Sequence, residues 1–249
     1  MQYGICPLSL VSVRITADAN SEMTSQLLYG EYFKVLEHRK YFSKIRKTFD
    51  SFEGWVQNEQ FVMVDADTYH SLKTSSKSYS TDLVSFIETE KETLQPILMG
   101  SLVGSLKVLK HTFEGNFIAD LKSKASCITT ASYYLEAPFL SGGLTPFGID
   151  SAGFTQMVYR INGHRLLRTP ELQATQGEPL SFIEESEPGD LAFFDNIDGE
   201  IDHVGIIMED NYIIHVNGKV RIDRIDHTGI FNIKKGNYTH KLRVIKKII

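Results

Sequence analysis

Two histidines, His203 and His215, lie in consecutive predicted strands and are the residues best placed to do chemistry. If the turn between the strands centres on Asp210, Gly205 lies opposite His215 and His203 lies opposite Asn217, so both histidines share one face of the sheet. The two side chains are then diagonal neighbours, about 7–8 Å apart at Cα. Such a pair suits a general base and the group that orients it, each reaching toward a third residue on another element.

That third residue is expected at the start of a helix, because the free N–H groups and the positive dipole end there stabilise an anion. A cysteine at such a position loses its proton near neutral pH. The first residue of the predicted helix is instead Ser151, and Asp150 before it has the position of an N-cap. The two cysteines of the chain, Cys6 and Cys127, precede this point, and two thiols are too few for a disulfide framework or a four-cysteine zinc site.

The elements that carry these residues are predicted to form an α+β domain over residues 121–249. Apolar residues at helical spacing predict one helix that holds Cys127 and a second that runs from Ser151 to a stop at Asn162-Gly163. The predicted strands that follow cover residues 191–194, 203–208, 212–216, 220–225 and 242–248. Their short connections indicate antiparallel pairing, because a parallel pair needs a long crossover.

The N-terminal part is predicted to be all β. From Leu8 to about Val64, short apolar alternations are broken by turn residues, which indicates a small barrel over residues 1–64. Two phrases then recur in the same order: residues 97–100 resemble 27–30, and residues 113–115 resemble 52–54. This repetition predicts a second barrel over residues 65–120. The polar stretch 69–81 is predicted to be a linker or a long loop.

Composition excludes several classes of function. The 26 Lys+Arg against 31 Asp+Glu give a net charge of −5, which argues against nucleic acid as a partner. No run approaches the length of a membrane helix and the start lacks a secretory signal, so a cytoplasmic location without a membrane partner is expected. No metal or other cofactor is expected, because the other histidines lack partners at metal-ligand spacing. These are His38, His70, His111, His164, His227 and His240.

Several motifs together resemble one known family. The run from Tyr134 through Ser141-Gly142-Gly143 to Phe154 resembles the opening motif of NlpC-type cysteine peptidases, and later motifs match in the same order. These later motifs are Pro188-Gly189-Asp190-Leu191, His203-Val204-Gly205-Ile206 and Ile214-His215. The phrases Val13-Arg14, 26–31 and 53–56 resemble bacterial SH3-like domains. The whole chain is thus similar to the YkfC-like γ-D-glutamyl-L-diamino-acid endopeptidases, which cut cell-wall peptides.

The resemblance implies a papain-like NlpC-type α+β domain preceded by two small all-β SH3-like barrels. It also implies a Cys-His-His triad, whose positions in this sequence are Ser151, His203 and His215. The nucleophile position therefore carries a serine where the family has a cysteine.

The resemblance places the substrate-binding positions at Asp150, Phe139, Ser141 and Ala152. In the family, the aspartate at the first of these helps to hold the free amino end of the substrate. The other three depart from the usual tyrosine, tryptophan and serine, respectively. Together with Ser151, these replacements indicate a site released from catalysis.

The resulting prediction is a catalytically inactive homologue of a cell-wall peptide endopeptidase. It is expected to bind peptidoglycan-derived peptides or a protein partner. Two alternatives keep it an active hydrolase: Ser151 is itself the nucleophile, using concerted base catalysis and an oxyanion hole, or the serine was introduced in place of a native cysteine. A single introduced change does not account for Phe139, Ser141 and Ala152. A further alternative is that the site is no longer a pocket.

Overall fold

The computed structural model describes all 249 residues, which form two compact units. The N-terminal unit comprises 1–120 with 141–145, and the C-terminal unit comprises 121–140 with 146–249. Strands dominate the first unit, and the second combines helices with a single large sheet, so the predicted α+β class is confirmed. None of the helices has both the length and the apolar character needed to cross a bilayer.

An antiparallel sheet of seven strands forms the first part of the N-terminal unit. Its strands are β1 (Gln2–Ile5), β2 (Leu10–Arg14), β3 (Met23–Leu28), β4 (Tyr32–His38), β5 (Phe42–Lys47), β6 (Glu53–Gln57) and β7 (Val62–Val64). They pair in the order β3-β2-β6-β5-β4-β1-β7. The predicted apolar alternation is real, since Val11 and Val13 of β2 are buried in one core with Leu27 and Ile45.

The predicted linker or long loop over residues 69–81 is wrong for its first six residues, which belong to helix α1 (Ala66–Thr74). Asp65 caps this helix by accepting a hydrogen bond from the Thr68 backbone N–H at 2.7 Å. Tyr69 stacks on Tyr3 at 4.1 Å between ring centroids, and Leu72 is buried in the same cluster. Two apolar side chains one turn apart therefore fold a stretch whose polar composition indicated a loop.

Residues 79–118 add short elements around two small sheets, β10-β9-β11 and β12-β8. The elements are β8 (Tyr79–Ser80), β9 (Val84–Glu88), β10 (Leu94–Leu98), α2 (Leu106–Leu109), β11 (Thr112–Phe113) and β12 (Phe117–Ile118). Residues 141–145, which also belong to the N-terminal unit, contain β13 (Leu144–Thr145).

The first pair of recurring phrases shares a local geometry. Each phrase ends a strand and then turns at a glycine in the left-handed region, Gly30 with φ 79° and Gly100 with φ 85°. A Cβ on Gly30 would lie 2.1 Å from the Leu102 carbonyl oxygen, so no larger residue fits there. This likeness agrees with a duplication, while the division into barrels at 1–64 and 65–120 stays a prediction.

The C-terminal unit consists of helices followed by a closed antiparallel barrel. The helices are α3 (Lys124–Ser132), α4 (Ser151–Ile161) and α5 (Pro170–Gln173). The strands are β14 (Gly148–Ile149), β15 (Glu178–Leu180), β16 (Leu191–Asp195), β17 (Ile201–Ile207), β18 (Tyr212–Asn217), β19 (Lys219–Ile225), β20 (Gly229–Asn232) and β21 (Asn237–Lys247). The sheet order is β15-β21-β16-β17-β18-β19-β20, and an additional pairing of β20 with β21 closes the barrel.

Helix α4 and the apolar core of the barrel position the candidate site. Helix α4 is buried along its whole length and packs against β17 and β18. Apolar side chains from several strands form a core that includes Ala192, Phe194, Ile207 and Ile213. Residues paired across neighbouring strands lie on the same face, and Phe194 pairs with His203. The histidine therefore lies on the face of the sheet that carries this core.

Candidate functional site

The predicted hairpin register is confirmed. Gly205 pairs with His215, and the turn contains Asp210 in the left-handed conformation, with φ 56° and ψ 35°. The rings of His203 and His215 are 5.2 Å apart between centroids and nearly perpendicular. Their atoms Nε2 and Nδ1, respectively, lie 3.0 Å apart, which is a hydrogen-bond distance. Local alternation and one turn thus bring the two residues into direct contact.

Gly205 is what leaves room for this contact. A Cβ at that position would lie 2.7 Å from Ile213 Cδ1 and 2.9 Å from His215 Cβ. Both distances are shorter than van der Waals contact, so the adjacent histidine occupies space that any other residue would take. The sequence motif around His203 therefore has a steric reason for its glycine.

Asp223 extends the chain of contacts beyond the histidines. Its Oδ2 lies 3.1 Å from Nε2 of His215, and Arg221 binds the same carboxylate through Nη2 at 2.8 Å and Nε at 2.7 Å. Sequence reasoning missed Asp223. The strands pair about Gly218, with Asn217 opposite Lys219, so Arg221 lies opposite His215 and the aspartate is a diagonal neighbour. A two-residue turn at Asn217-Gly218 would instead set Val220 opposite His215, so this dipeptide does not indicate the observed register.

The hydrogen-bond chain fixes the proton positions of the neutral rings. Because the Asp223 carboxylate only accepts, Nε2 of His215 donates to it and leaves Nδ1 as an acceptor. Nε2 of His203 then donates to that acceptor. The remaining lone pair of His203 is on Nδ1, so a proton accepted by this ring acting as a base would bind to that atom.

Burial keeps His203 and His215 uncharged at neutral pH. Desolvation, together with the neighbouring His240 and His215, holds the pKa of His203 well below its ordinary value. Burial also lowers the pKa of His215, although Asp223 acts in the opposite direction. Burial alone would raise the pKa of Asp223, but hydrogen bonds from His215 and Arg221 outweigh it, and the net direction is downward. At neutral pH the histidines are therefore neutral and the aspartate is ionised.

His240 is a third member of the cluster, and the prediction that it lacks partners at metal-ligand spacing is wrong. Its ring stacks on His203 with centroids 4.1 Å apart, and its Nδ1 lies 2.9 Å from Thr239 Oγ1. One ring nitrogen from each of His203, His215 and His240 lies within 4.8 Å of the others. The predicted last strand began at residue 242, whereas β21 begins at Asn237 and carries this histidine into the barrel.

Ser151 is the first residue of α4, as predicted, and it is 8% exposed. Asp150 caps this helix by accepting a hydrogen bond from the Gly153 backbone N–H at 2.6 Å. The Ser151 hydroxyl makes no hydrogen bond to His203 or His215. The structure thus unites the two histidines directly, while the serine stays outside their hydrogen-bond chain.

Neither cysteine replaces the missing thiol. Cys6 and Cys127 are both fully buried, and Cys6 belongs to the N-terminal unit. Burial raises the pKa of each thiol to about 12, so neither is a thiolate at neutral pH.

Asp150 has a partner that the sequence analysis did not foresee. Arg168, only 3% exposed, binds both carboxylate oxygens, with Nη1–Oδ1 at 3.0 Å and Nη2–Oδ2 at 2.5 Å. A bidentate pair of this kind holds the carboxylate firmly and offsets its charge. The Asp150 side chain is 20% exposed, so an edge of the group remains accessible.

The other predicted substrate-binding residues differ in placement. Phe139 is 54% exposed, and Ala152 is buried, with its carbonyl oxygen accepting a hydrogen bond from Gln173 at 2.9 Å. Ser141 is exposed and groups with the N-terminal unit. Their contacts with a substrate stay predictions.

Helix α4 is buried, begins at Ser151 and packs against the two strands that carry His203 and His215. This arrangement is that of a papain-like α+β domain. Residues 136–237 match the model of the NlpC/P60 family, and residues 13–61 match that of the bacterial dipeptidyl-peptidase Sh3 domain. The chain therefore carries an NlpC/P60 domain preceded by a bacterial SH3 domain.

Relatives agree with this assignment. Dipeptidyl-peptidase 6 of Lysinibacillus sphaericus is 22% identical, over 84% of this chain and 86% of its own length. The γ-D-glutamyl-L-lysine dipeptidyl-peptidase of Bacillus subtilis is 32% identical, over 35% of this chain and 30% of its own length. An NlpC/P60 family protein from Bacillus cereus has a crystal structure that matches 99% of both chains with a TM-score of 0.78, at 15% identity. The structural match shows the fold, and the sequence matches show homology to the dipeptidyl-peptidases.

Proposed function

We propose that the protein binds peptidoglycan-derived peptides containing a γ-D-glutamyl-L-diamino-acid unit and does not cleave them. The observation that carries the proposal is Ser151 at the nucleophile position without a hydrogen bond to His203. The ligand class comes from the homologous dipeptidyl-peptidases, one of which is named for γ-D-glutamyl-L-lysine.

The chemistry of serine supports the absence of turnover. A thiol has a pKa of about 8.5, low enough for a helix N-terminus to hold it as an anion, whereas a serine hydroxyl is far less acidic. Serine therefore reacts only while a hydrogen-bonded base removes its proton. Nδ1 of His203 is the atom left to do this, and no hydrogen bond links that ring to Ser151.

Asp150 is the acidic group proposed to meet the amino end of the peptide. Its carboxylate already serves as the cap of α4 and as the partner of Arg168, so its charge is partly offset. An ammonium group then gains less from it than from an unpaired carboxylate. We expect binding that is reversible and weaker than such an unpaired site would give.

Calorimetry with a soluble L-Ala-γ-D-Glu-diamino-acid peptide tests the proposal. The expected result is saturable binding that weakens at least about tenfold in Asp150→Asn, which keeps a cap acceptor but removes the charge. Asp198→Asn, at an exposed position, is the matched control and should leave the binding unchanged. Absence of binding to the wild-type protein would contradict the proposal and favour a protein partner or a filled site.

A second candidate, hydrolysis by Ser151, is favoured by one observation. The chain from His203 through His215 to Asp223 is complete, which is the arrangement that orients a general base. Ser151→Cys separates the explanations, because recovered cleavage would indicate an intact pocket with a substituted nucleophile. The proposal expects no cleavage from this variant, since Phe139, Ser141 and Ala152 also depart from the family pattern.

A further inference from the structure

We infer that His203, His215 and His240 form a binding site for a divalent transition-metal ion, for which Zn²⁺ is the best probe. Three imidazoles from three strands converge here, and one nitrogen from each lies within 4.8 Å of the others. Imidazole nitrogen suits zinc and related metals, whereas magnesium and calcium prefer oxygen.

The spacing of the nitrogens approaches that of a tetrahedral site. With Zn–N bonds of about 2.0–2.1 Å, ligand nitrogens in tetrahedral geometry lie about 3.3 Å apart. The His203 Nε2 and His215 Nδ1 atoms are already 3.0 Å apart. Because every ligand separation is at most 4.8 Å, closing the longest requires a side-chain movement of about 1.5 Å or less. Such a movement is within reach of His240, which is less buried than the other two.

The surrounding hydrogen bonds orient two rings as outer-shell partners do in known metal sites. Asp223 accepts from Nε2 of His215, which directs the Nδ1 lone pair of that ring toward the cluster. A carboxylate behind a ligating histidine is a recurrent arrangement, because it fixes the tautomer and raises the basicity of the ligand. Thr239 similarly contacts Nδ1 of His240 and leaves Nε2 for the metal.

The state of the ligands also favours a metal. Burial keeps all three rings neutral at neutral pH, so a metal competes with no second proton on any ring, and the single proton on Nε2 of His203 moves to Nδ1 when the metal binds. Three histidines occupy three tetrahedral positions and leave a fourth for water or another ligand, as in open zinc sites. The nearby Arg221 is held by the Asp223 carboxylate, which offsets its positive charge.

A bound metal would take the place of the hydrogen bond between His203 and His215. This inference goes beyond peptide binding and does not depend on it, because none of the metal ligands is proposed to contact the peptide. It also assigns a role to His240, which is not one of the three triad positions Ser151, His203 and His215.

The test is a Zn²⁺ titration of the full chain, expressed without a polyhistidine tag and treated with a chelator. Calorimetry should give one Zn²⁺ per chain, and Co²⁺ should give the intense visible absorption of a tetrahedral nitrogen site. His240→Gln should weaken Zn²⁺ binding at least about tenfold, and Asp223→Asn by about 10–100-fold. The exposed His227→Gln is the control and should bind as the wild type does.

Two results would overturn the inference: no saturable Zn²⁺ binding by the wild-type chain, or equal affinity in His240→Gln and wild type. Circular dichroism checks that each variant is folded. If His240→Gln does not fold, the Co²⁺ spectrum of the wild-type protein decides, and weak octahedral bands alone would contradict the site. The titration contains no peptide, so its outcome is independent of the calorimetry that tests the proposed function.

Discussion

The folded state should lose stability as the buried histidines become protonated, and His240 allows the effect to be calculated. Burial, with a contribution from His215, lowers its pKa from 6.5 to about 4. Between these values the unfolded chain binds more protons than the folded chain, so the free energy of unfolding rises with pH. The stability is fully present above pH 6.5 and is lost as the pH falls toward 4.

The linkage relation gives the magnitude. A pKa that falls from 6.5 to about 4 corresponds to a total loss of about 3.4 kcal/mol, which is reached well below pH 4. Integrated from pH 7 to pH 5, the loss from this one group is about 2 kcal/mol. His240 is partly exposed, and water screening makes this an upper value.

The assay compares urea unfolding at pH 7 and pH 5, in metal-free buffer, for the wild-type protein and His240→Gln. The variant cannot take up this proton, so it should lose up to about 2 kcal/mol less stability over that interval. His227→Gln removes an exposed histidine and should behave as the wild type does. Proton NMR of the His240 ring provides a direct check. A ring that titrates near pH 6.5, or an equal loss of stability in His240→Gln and wild type, would refute the reasoning.

Three substitutions probe the rest of the site. Gly205→Ala introduces a Cβ 2.7 Å from Ile213 Cδ1, so we expect the free energy of unfolding in urea to fall by about 1–3 kcal/mol. Gly104→Ala is the control: its Cβ would lie no closer than 3.4 Å to any neighbouring atom, so the free energy of unfolding should hardly change. Asp223→Ala leaves Arg221 and His215 without a carboxylate, so we expect the free energy of unfolding to fall by about 1–3 kcal/mol. The pKa of His215, measured by NMR, should also be lower than in the wild type. An unchanged pKa would contradict the contact between Asp223 and His215. Asp150→Ala should be less stable than Asp150→Asn by about 0.5–2 kcal/mol, because only the asparagine side chain keeps an oxygen that can cap α4. Equal stabilities would show that the side chain of residue 150 does not stabilise the helix as a cap.

Features fixed by local sequence were predictable. The pairing of Gly205 with His215 follows from strand alternation and one short turn, and the start of α4 at Ser151 follows from its apolar stripe and N-cap. The same reasoning does not extend to Asp223, because the strands pair about Gly218, and the usual two-residue Asn217-Gly218 turn would shift the register by one residue and place Asp223 on the other face.

Features fixed by distant contacts were not predictable. His240 joins the cluster only because β21 pairs with both β16 and β20, and register shifts interrupt both pairings. Arg168 meets Asp150 through the placement of a segment that follows α4, and no spacing rule connects them. Helix α1 exists because Tyr69 and Leu72 find a surface to pack on, which a polar composition does not reveal.

The central claim is that this NlpC/P60 domain no longer cleaves peptides, and a hydrolysis assay tests it most directly. The full chain is incubated with the L-Ala-γ-D-Glu-diamino-acid peptide, and products are followed by mass spectrometry beside a Ser151→Ala control. The account predicts that wild type and control release the same background amount of product. Cleavage by the wild-type protein that disappears in Ser151→Ala would contradict it.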